Sequence, residues 1–345
     1  DNLASDNYVR DEKYWRALLE KPAESASFKD QRGAQVSPVG RRRSYRLPEI
    51  LNHAISDFCR EHRVSPFAPY YMALAIAAKR MGCGERMTMG VPVHNRTDLT
   101  ARMTTGMFVS TLPLVMELDE DWTAEQFCDS LSENWLDLLR HQRCPYERIE
   151  AMPGRNGRLF SVALSYQDNL SFRGEDATVR FSGRWNSSGY QAAQLCIHMT
   201  NLEDHRRYTV DYDYLTQLFT DEEIDRLHRT ICSILDQILS HPARPIRDAG
   251  ILSAREREQV LYTFNRTSRR LPDIGLWAAF AARAETCPDR VAVIENGNKL
   301  TYGELRARAQ TMGAALAARC GEGPLIAVLL PRGNRLASVL TAVMA

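Results

Sequence analysis

The sequence lacks the signatures of several large protein classes. No apolar run approaches the roughly 18 residues of a membrane-spanning helix. The net charge of +1 gives no electrostatic reason to expect a nucleic-acid or membrane partner. The eight cysteines form no Cys-x-x-Cys pair, which favours small buried thiols over a metal site or disulfides, and a reducing, cytoplasmic location. The usual motifs of phosphate-binding loops, serine hydrolases and zinc hydrolases are also missing, so we expect none of these sites.

The composition that remains is that of an ordinary globular protein. Hydrophobic residues make up 44% and charged residues 25% of the chain. A length of 345 residues predicts two or three domains. From the patterns described below we expect one domain over residues 1–250, a linker over 251–273, and the start of a second, truncated domain over 274–345.

The first 250 residues mix helical and strand-like patterns, which predicts an α/β fold. Helical periodicity occurs at residues 8–20, 48–62 and 66–81. Two further helices are predicted to begin at the capping-box pairs Thr123 with Gln126 and Thr220 with Glu223. Strand-like patterns occur at residues 87–93, 107–118, 159–167, 194–199 and 208–214. Residues 22–48 contain proline, glycine, serine and three consecutive arginines at 41–43. We interpret this stretch as a solvated crossing segment, because no aromatic residues interleave the arginines.

The segment over residues 274–345 repeats an alternation of helix and strand that is typical of an α/β unit. Helices are predicted at residues 274–285, 302–319 and 334–345, and strands at 291–295, 300–301 and 325–330. The strand at 325–330 is apolar throughout, so we expect it to be buried. Such a short unit holds too few strands to bury a stable core by itself.

Four segments of the first part carry specific motifs. Residues 90–98 read GVPVHNRTD, 106–114 read GMFVSTLPL, 140–149 read RHQRCPYERI and 158–168 read RLFSVALSYQD. In this order they resemble the later motifs of a condensation domain from a nonribosomal peptide synthetase. Ser110 replaces the asparagine that the family usually has, and the Arg-Asn-Pro that usually opens the fourth motif is degraded. Residues 299–310, KLTYGELRARAQ, resemble the first core motif of an adenylation domain.

The resemblance implies a chloramphenicol-acetyltransferase-like α/β fold and amide-bond formation. The amine of a carrier-bound aminoacyl thioester would attack an acyl thioester on a second carrier. The implied partners are upstream and downstream peptidyl carrier domains, with their phosphopantetheine arms, and the rest of the synthetase chain. A complete adenylation domain would add ATP and magnesium. The implied role is in making secondary metabolites such as antibiotics.

The family's histidine motif, HHxxxDG, does not occur in the sequence. We therefore expect the chain to begin after that motif, to end before the adenylation phosphate loop, and to be inactive alone. No catalytic, cofactor-binding or metal-binding residue is assigned. The resemblance makes Arg96 a support for the active site, through an ion pair with the aspartate of HHxxxDG. Possible substrate-tunnel residues are Met107, Phe108, Ser110, Thr111, Tyr166 and Gln167. We interpret His141 as structural, and His94 as structural or solvent-facing.

Three alternatives remain open. An epimerization domain acts on carrier-bound residues, but Ser-Tyr-Gln-Asp at 165–168 and the following adenylation-like motif argue against it. A non-catalytic scaffold or docking remnant would carry a damaged HHxxxDG. A free coenzyme-A-dependent acyltransferase would lack the adenylation-like segment.

Overall fold

A computed structural model describes residues 6–29, 36–152, 158–168, 186–204, 207–270, 273–320 and 325–345. It divides the chain into two compact units, Asp1–Thr263 and Phe264–Ala345. The degraded part of the fourth motif lies outside the described residues.

The helices of the first unit are α1 (Asp6–Glu20), α2 (Glu49–His62), α3 (Phe67–Arg80), α4 (Leu99–Met103), α5 (Ala124–Arg140), α6 (Tyr146–Glu150), α7 (Asp221–Ser240) and α8 (Ala254–Glu258). Five of them (α1, α2, α3, α5 and α7) begin within about two residues of where the sequence predicts, whereas the short helices α4, α6 and α8 were not predicted. A 3-10 turn (Ile246–Asp248) precedes α8, and a π-helical turn (Gln259–Thr263) follows it. The predicted capping boxes of α5 and α7 are confirmed: Thr123 pairs with Gln126, and Thr220 with Glu223.

One seven-stranded mixed sheet organises this unit. Its strands are β1 (Glu24–Ser25), β2 (Gly40–Arg46), β3 (Arg86–Val93), β4 (Ser110–Glu117), β5 (Val162–Gln167), β6 (Leu195–Asp204) and β7 (Arg207–Leu215). The path runs β1-β3-β5-β6-β7-β2, with β4 paired to β3. β1, β3, β5 and β6 are parallel neighbours, whereas β4, β7 and β2 pair antiparallel.

The core lies between the sheet and the helices. Helix α3 is buried continuously from Ala68 to Ala78 and packs against α5 and α7. Its Tyr70 hydroxyl lies 2.7 Å from the hydroxyl of Tyr212 on β7. A helix that is apolar on all sides is buried on all sides, which is why α3 can lie at the centre of the unit.

The arginines at 41–43 are not part of a solvated crossing segment, and that prediction is wrong. They lie in β2, which pairs along its length with β7. Their side chains form ion pairs with carboxylates of β7 and α7, among them Asp213 and Asp225. Asp213 lies 171 residues beyond Arg42 in the chain, so the local sequence around the arginines carries no trace of this partner.

The second unit is a small α/β unit. It contains α9 (Leu276–Thr286), β8 (Val291–Glu295), β9 (Asn298–Thr301), α10 (Tyr302–Cys320) and α11 (Asn334–Met344). Asn296 and Gly297 turn β8 into β9 with φ of 46° and 82°, which suits the asparagine–glycine pair. The predicted buried strand at 325–330 is wrong. Leu325 and Leu329 are fully exposed, and neither described strand of this unit pairs with them.

Candidate functional site

A pocket lies in the first unit where strands β3 and β5 part. The two strands meet in register at Gly90 and Ala163, and the residues that follow this pair on both strands line the pocket. Further walls come from residues around the start of β4 and in β6. The pocket encloses about 260 Å³. This is the size of a small side chain or the end of a flexible arm rather than of a whole cofactor.

Gly90 permits a close contact at the point of divergence. A Cβ atom built there would lie 2.5 Å from ring carbons of Phe160, which comes just before β5. The glycine therefore lets an aromatic ring press against the β3 backbone.

The structure separates the predicted tunnel residues into two groups. Thr111, Tyr166 and Gln167 line the pocket. Ser110 begins β4 and is half-buried, whereas Phe108 and Met107 precede the strand. Met107 is 93% exposed, so its side chain contributes nothing to a pocket wall in this conformation.

Arg96 organises the loop between β3 and β4. Its guanidinium donates hydrogen bonds to the carbonyl oxygens of Thr104 and Gly106, both at 2.8 Å, and to that of Ala101. The guanidinium carbon also lies 4.2 Å from the ring centre of Phe108, a cation–π contact. Arg96 thus joins the first motif to the second. Its pairing with an aspartate of HHxxxDG stays a prediction.

The third motif is joined to the first in the same way. The Arg143 guanidinium donates to the Thr97 hydroxyl at 2.8 Å and to the Asp98 carboxylate at 2.6 Å. Gln142 accepts a hydrogen bond from the backbone N–H of Asn95 at 3.2 Å. The first and second motifs, which are near neighbours in the chain, and the third, which begins 42 residues after the first ends, therefore meet in one loop cluster. His94 lines the pocket and directly precedes Asn95, which belongs to this cluster.

His141 has the structural role that the sequence predicts. It caps the C-terminus of α5, and its Nδ1 lies 2.8 Å from the Asp11 carboxylate of α1. Tyr14 stacks on its ring at 4.0 Å, and the Trp15 indole donates to its backbone carbonyl at 3.1 Å. The histidine of the third motif fastens the N-terminal helix to the rest of the unit.

A partly buried network of polar groups runs from β2 to the pocket wall. The Ser165 hydroxyl on β5 lies 2.7 Å from Nδ1 of His198 on β6. Nε2 of His198 lies 3.4 Å from the carboxylate of Asp213 on β7. Arg42 on β2 donates to that carboxylate from Nε at 2.7 Å and also from Nη2. Ser165 and His198 both line the pocket.

The ion pair between Arg42 and Asp213 keeps the carboxylate of this polar network ionised. Burial by itself would raise the pKa of Asp213, but hydrogen bonds from Arg42 and His198 lower it to about 2. Asp213 is therefore ionised throughout the neutral range. On the pocket wall, burial and the charge of Asp168 raise the pKa of Tyr166, which keeps its hydroxyl protonated.

The sequence patterns did not predict this polar network. The available signal was the presence of Ser165, His198 and Asp213 between apolar residues of their strands. Only the cross-strand register shows that they are neighbours, with Ser165 opposite His198 on parallel strands.

Two other kinds of site have no candidate among the described residues. In the part of the chain that the structure describes, no three histidine, cysteine or acidic side chains come together as metal ligands. None of the described helices is both long and apolar enough to cross a membrane. All eight cysteines are free thiols; Cys128 and Cys144 are buried and Cys320 is exposed.

Comparison with known proteins identifies the first unit. The family model described as Condensation domain matches residues 1–261. A plipastatin synthase chain of Bacillus subtilis (strain 168) is 29% identical over 325 residues, covering 92% of this chain and 12% of the relative. Surfactin synthase subunit 1 of the same organism is 28% identical over 347 residues, covering 99% of this chain and 10% of the relative. The chain thus spans about a tenth of the length of these curated relatives.

Solved structures share the fold. The first condensation domain of the CDA synthetase superposes with a TM-score of 0.61 at 22% identity, covering 72% of this chain and 55% of that one. A four-domain nonribosomal peptide synthetase, holo-AB3403, solved with AMP and glycine bound, gives a TM-score of 0.73 at 16% identity and covers 91% of this chain and 25% of that one. The predicted α/β fold of the condensation type is confirmed by these neighbours.

Proposed function

The chain belongs to the condensation-domain family of nonribosomal peptide synthetases, and from that premise we propose that its first unit takes part in amide-bond formation between two carrier-bound substrates. The observation that carries this proposal is the family match over residues 1–261. The pocket beside the cluster of three motifs supports it, because it offers a small, partly polar space where the inner strands β3 and β5 part.

The chemistry is an acyl transfer. The amine nitrogen of the acceptor attacks the carbonyl carbon of the donor thioester, the carbon–sulfur bond breaks, and the thiol leaves with the proton that the amine loses. We assign no general base to this chain, because the family's base lies in the HHxxxDG motif, which the sequence does not contain. The contribution of these residues is to bind and orient the substrates.

The proposed partners are an upstream and a downstream peptidyl carrier domain. Their phosphopantetheine arms are substrates and not resident cofactors of this chain. The free state of the eight cysteines supports our proposal of a reducing, cytoplasmic location.

We further propose that the second unit, Phe264–Ala345, is the beginning of an adenylation domain. Two observations favour this: the KLTYGELRARAQ segment, and the alignment with surfactin synthase subunit 1 over 99% of the chain. We place no ATP or magnesium contact on these residues, since they contain no glycine-rich phosphate loop.

The test is to express the chain together with the coding sequence that flanks it in its gene, and to supply one carrier loaded with an acyl group and one with an amino acid. We expect mass spectrometry to detect the acyl-aminoacyl product on the downstream carrier. The 345-residue chain alone is the control, and we expect no product from it. If loaded carriers give no amide in the flanked protein, the scaffold alternative replaces this proposal.

A further inference from the structure

The polar network at the pocket determines which of its groups donate hydrogen bonds and which accept them. Ionised Asp213 has only acceptor oxygens, so Nε2 of His198 carries the hydrogen that faces it, at 3.4 Å, and the roles that follow are those of the neutral tautomer with this hydrogen. Nδ1 is then an acceptor, and the Ser165 hydroxyl donates its single proton to it across 2.7 Å. The lone pairs of the Ser165 oxygen remain as acceptors on the pocket wall.

The charges behind the pocket favour a ligand that donates hydrogen bonds. Arg42 faces two carboxylates, Asp213 and, at 3.6 Å, Asp211. His198 lies directly opposite Asp211 in the strand register. Among these three side chains one cation faces two anions, so the set carries an excess of negative charge behind His198 and Ser165. In a buried setting such an excess attracts an ammonium or amine group.

We propose that His198 is a positioning residue that holds the Ser165 hydroxyl as the hydrogen-bond acceptor for the amine of the acceptor aminoacyl group. This inference rests on the proposed amide-forming function and names the substrate group that the pocket takes. Asp213 and Arg42 act indirectly: Arg42 keeps Asp213 ionised, and Asp213 determines the tautomer of His198. The oxygen of Ser165 accepts a hydrogen bond from an N–H of the amine. This hydrogen bond limits the directions in which the lone pair of the amine nitrogen can point.

Ligand binding to the 345-residue chain tests the pocket without catalysis. The probes are glycyl-aminopantetheine, a stable amide, and the matching hydroxyacetyl compound, which has a hydroxyl in place of the amine. We expect the wild-type chain to bind the amine probe at least about tenfold more tightly, and Ser165→Ala to reduce that preference to about twofold or less; tenfold corresponds to about 1.4 kcal/mol. Ser165→Thr retains the hydroxyl and should retain the preference.

Ser25→Ala is the matched control, because it removes a half-buried serine hydroxyl that bonds to Ser161 at 3.0 Å, away from the pocket wall. Its preference for the amine should equal that of the wild type. Equal binding of both probes by the wild-type chain, or an undiminished preference in Ser165→Ala, overturns the inference.

A spectroscopic signature separates positioning from simple packing. In a ¹⁵N-labelled chain, Nδ1 of His198 should give the resonance of an unprotonated ring nitrogen, and Ser165→Ala should shift it. A protonated Nδ1 in the neutral ring contradicts the assigned roles. His198→Leu should lose the amine preference while thermal unfolding still reports a folded domain; a folded His198→Leu that keeps the preference removes His198 from the inference.

Kinetics in the flanked protein distinguish this inference from the proposed function. If the wild type forms amide, we expect Ser165→Ala and His198→Leu to raise KM for the aminoacyl acceptor about tenfold or more and to leave KM for the acyl donor unchanged. If the wild type forms amide and both variants keep the wild-type KM values, only this inference fails. If the wild type forms no amide, the proposed function fails, and the binding preference still decides what the pocket recognises.

Discussion

Gly90 allows a close contact beside the pocket because it has no side chain. Its backbone lies against the Phe160 ring, and an added Cβ would come within 2.5 Å of two ring carbons. The half-buried ring packs against the core and against Tyr146, so moving aside would cost it those contacts. We expect Gly90→Ala to lower the free energy of unfolding by about 1–3 kcal/mol, the usual cost of overpacking, as measured by urea denaturation.

Gly250 provides the control for this effect. The nearest atom to a Cβ at Gly250 is a side-chain oxygen of Gln237 at 4.0 Å, an ordinary contact distance. Gly250→Ala should therefore change the free energy of unfolding by much less than Gly90→Ala. Equal losses in the two variants would show that the contact with Phe160 is not the cause.

His228 makes the stability of the first unit sensitive to acid. Burial lowers its pKa to about 4, although the charge of Asp225 acts in the opposite direction. The folded state holds the ring neutral beside Tyr212, whose hydroxyl lies 3.1 Å from Nδ1. The unfolded chain takes up a proton near the ordinary pKa of about 6.5. The free energy of unfolding is therefore not reduced by this group above about pH 6.5, and it falls as the pH drops from there to about 4, because the unfolded chain binds the proton first.

We expect the free energy of unfolding of the wild type to fall by about 3 kcal/mol between about pH 7 and pH 4 through this group alone. His228→Gln, which cannot titrate, should show a smaller slope over this range, even if its stability at neutral pH is lower. The exposed His53 provides the control: His53→Gln should keep the wild-type slope. A slope that is the same in all three proteins would exclude His228 as its source.

At the level of secondary-structure elements, strand β2 owes its place at the sheet edge to charge as well as to backbone pairing. The side chain of Arg42 is 12% exposed and pairs with Asp213, which is 3% exposed. Arg41, one residue earlier, is 61% exposed and pairs with Asp221 at 3.0 Å. Removing one member of a buried pair leaves the other charge without compensation.

We expect Arg42→Met to lower the free energy of unfolding by about 3–5 kcal/mol, and Arg41→Met by less than about 1 kcal/mol. Chemical denaturation of the two variants checks this. Because Arg42 and Arg41 are neighbours in one strand, the comparison holds strand propensity nearly constant. Similar losses from both would mean that strand pairing, and not the buried ion pair, places β2.

The position of helix α1 depends on the contact of its Asp11 with His141 at the C-terminus of α5. The Asp11 carboxylate is 3% exposed and meets His141 at 2.8 Å. We expect Asp11→Ala to cost about 1.5–3 kcal/mol, as for a hydrogen bond to a charged group, and to speed amide exchange in α1 above all. Arg16→Ala breaks an exposed pair with Glu12 and is the control, with little expected change in exchange. Unchanged exchange in Asp11→Ala would show that other contacts hold the helix.

The sequence predicted the elements whose signals are local. The capping boxes at Thr123 and Thr220 depend on residues three positions apart, and both helices begin there. The strand at Arg42 and the Ser165–His198 contact depend on cross-strand partners, which the local pattern does not contain. The resemblance placed Tyr166 and Gln167 near a tunnel, and they do line the pocket. It placed Met107 there too, but this side chain is exposed.

For the whole molecule, the division into two units decides which part can be studied alone. The compact unit ends at Thr263, the family match at residue 261, and the domain predicted from the sequence at residue 250. Between 250 and 263, Ile251 packs against the core of the first unit. The Ser253–Glu256 capping box starts α8 directly afterwards. These contacts place the segment with the first unit rather than with a free linker.

We expect residues 1–263, expressed alone, to unfold within about 2 °C of the same transition in the whole chain, because a compact unit holds its own core. Residues 1–250 lack Ile251 and α8. Losing that burial, about 1–2 kcal/mol, should lower the midpoint by about 3–6 °C. Differential scanning calorimetry of the three proteins measures both changes. If residues 1–250 melt at the same temperature as residues 1–263, the boundary at 250 is right and the following segment is a linker. If residues 1–263 melt well below the whole chain, the stability of the first unit depends on the second.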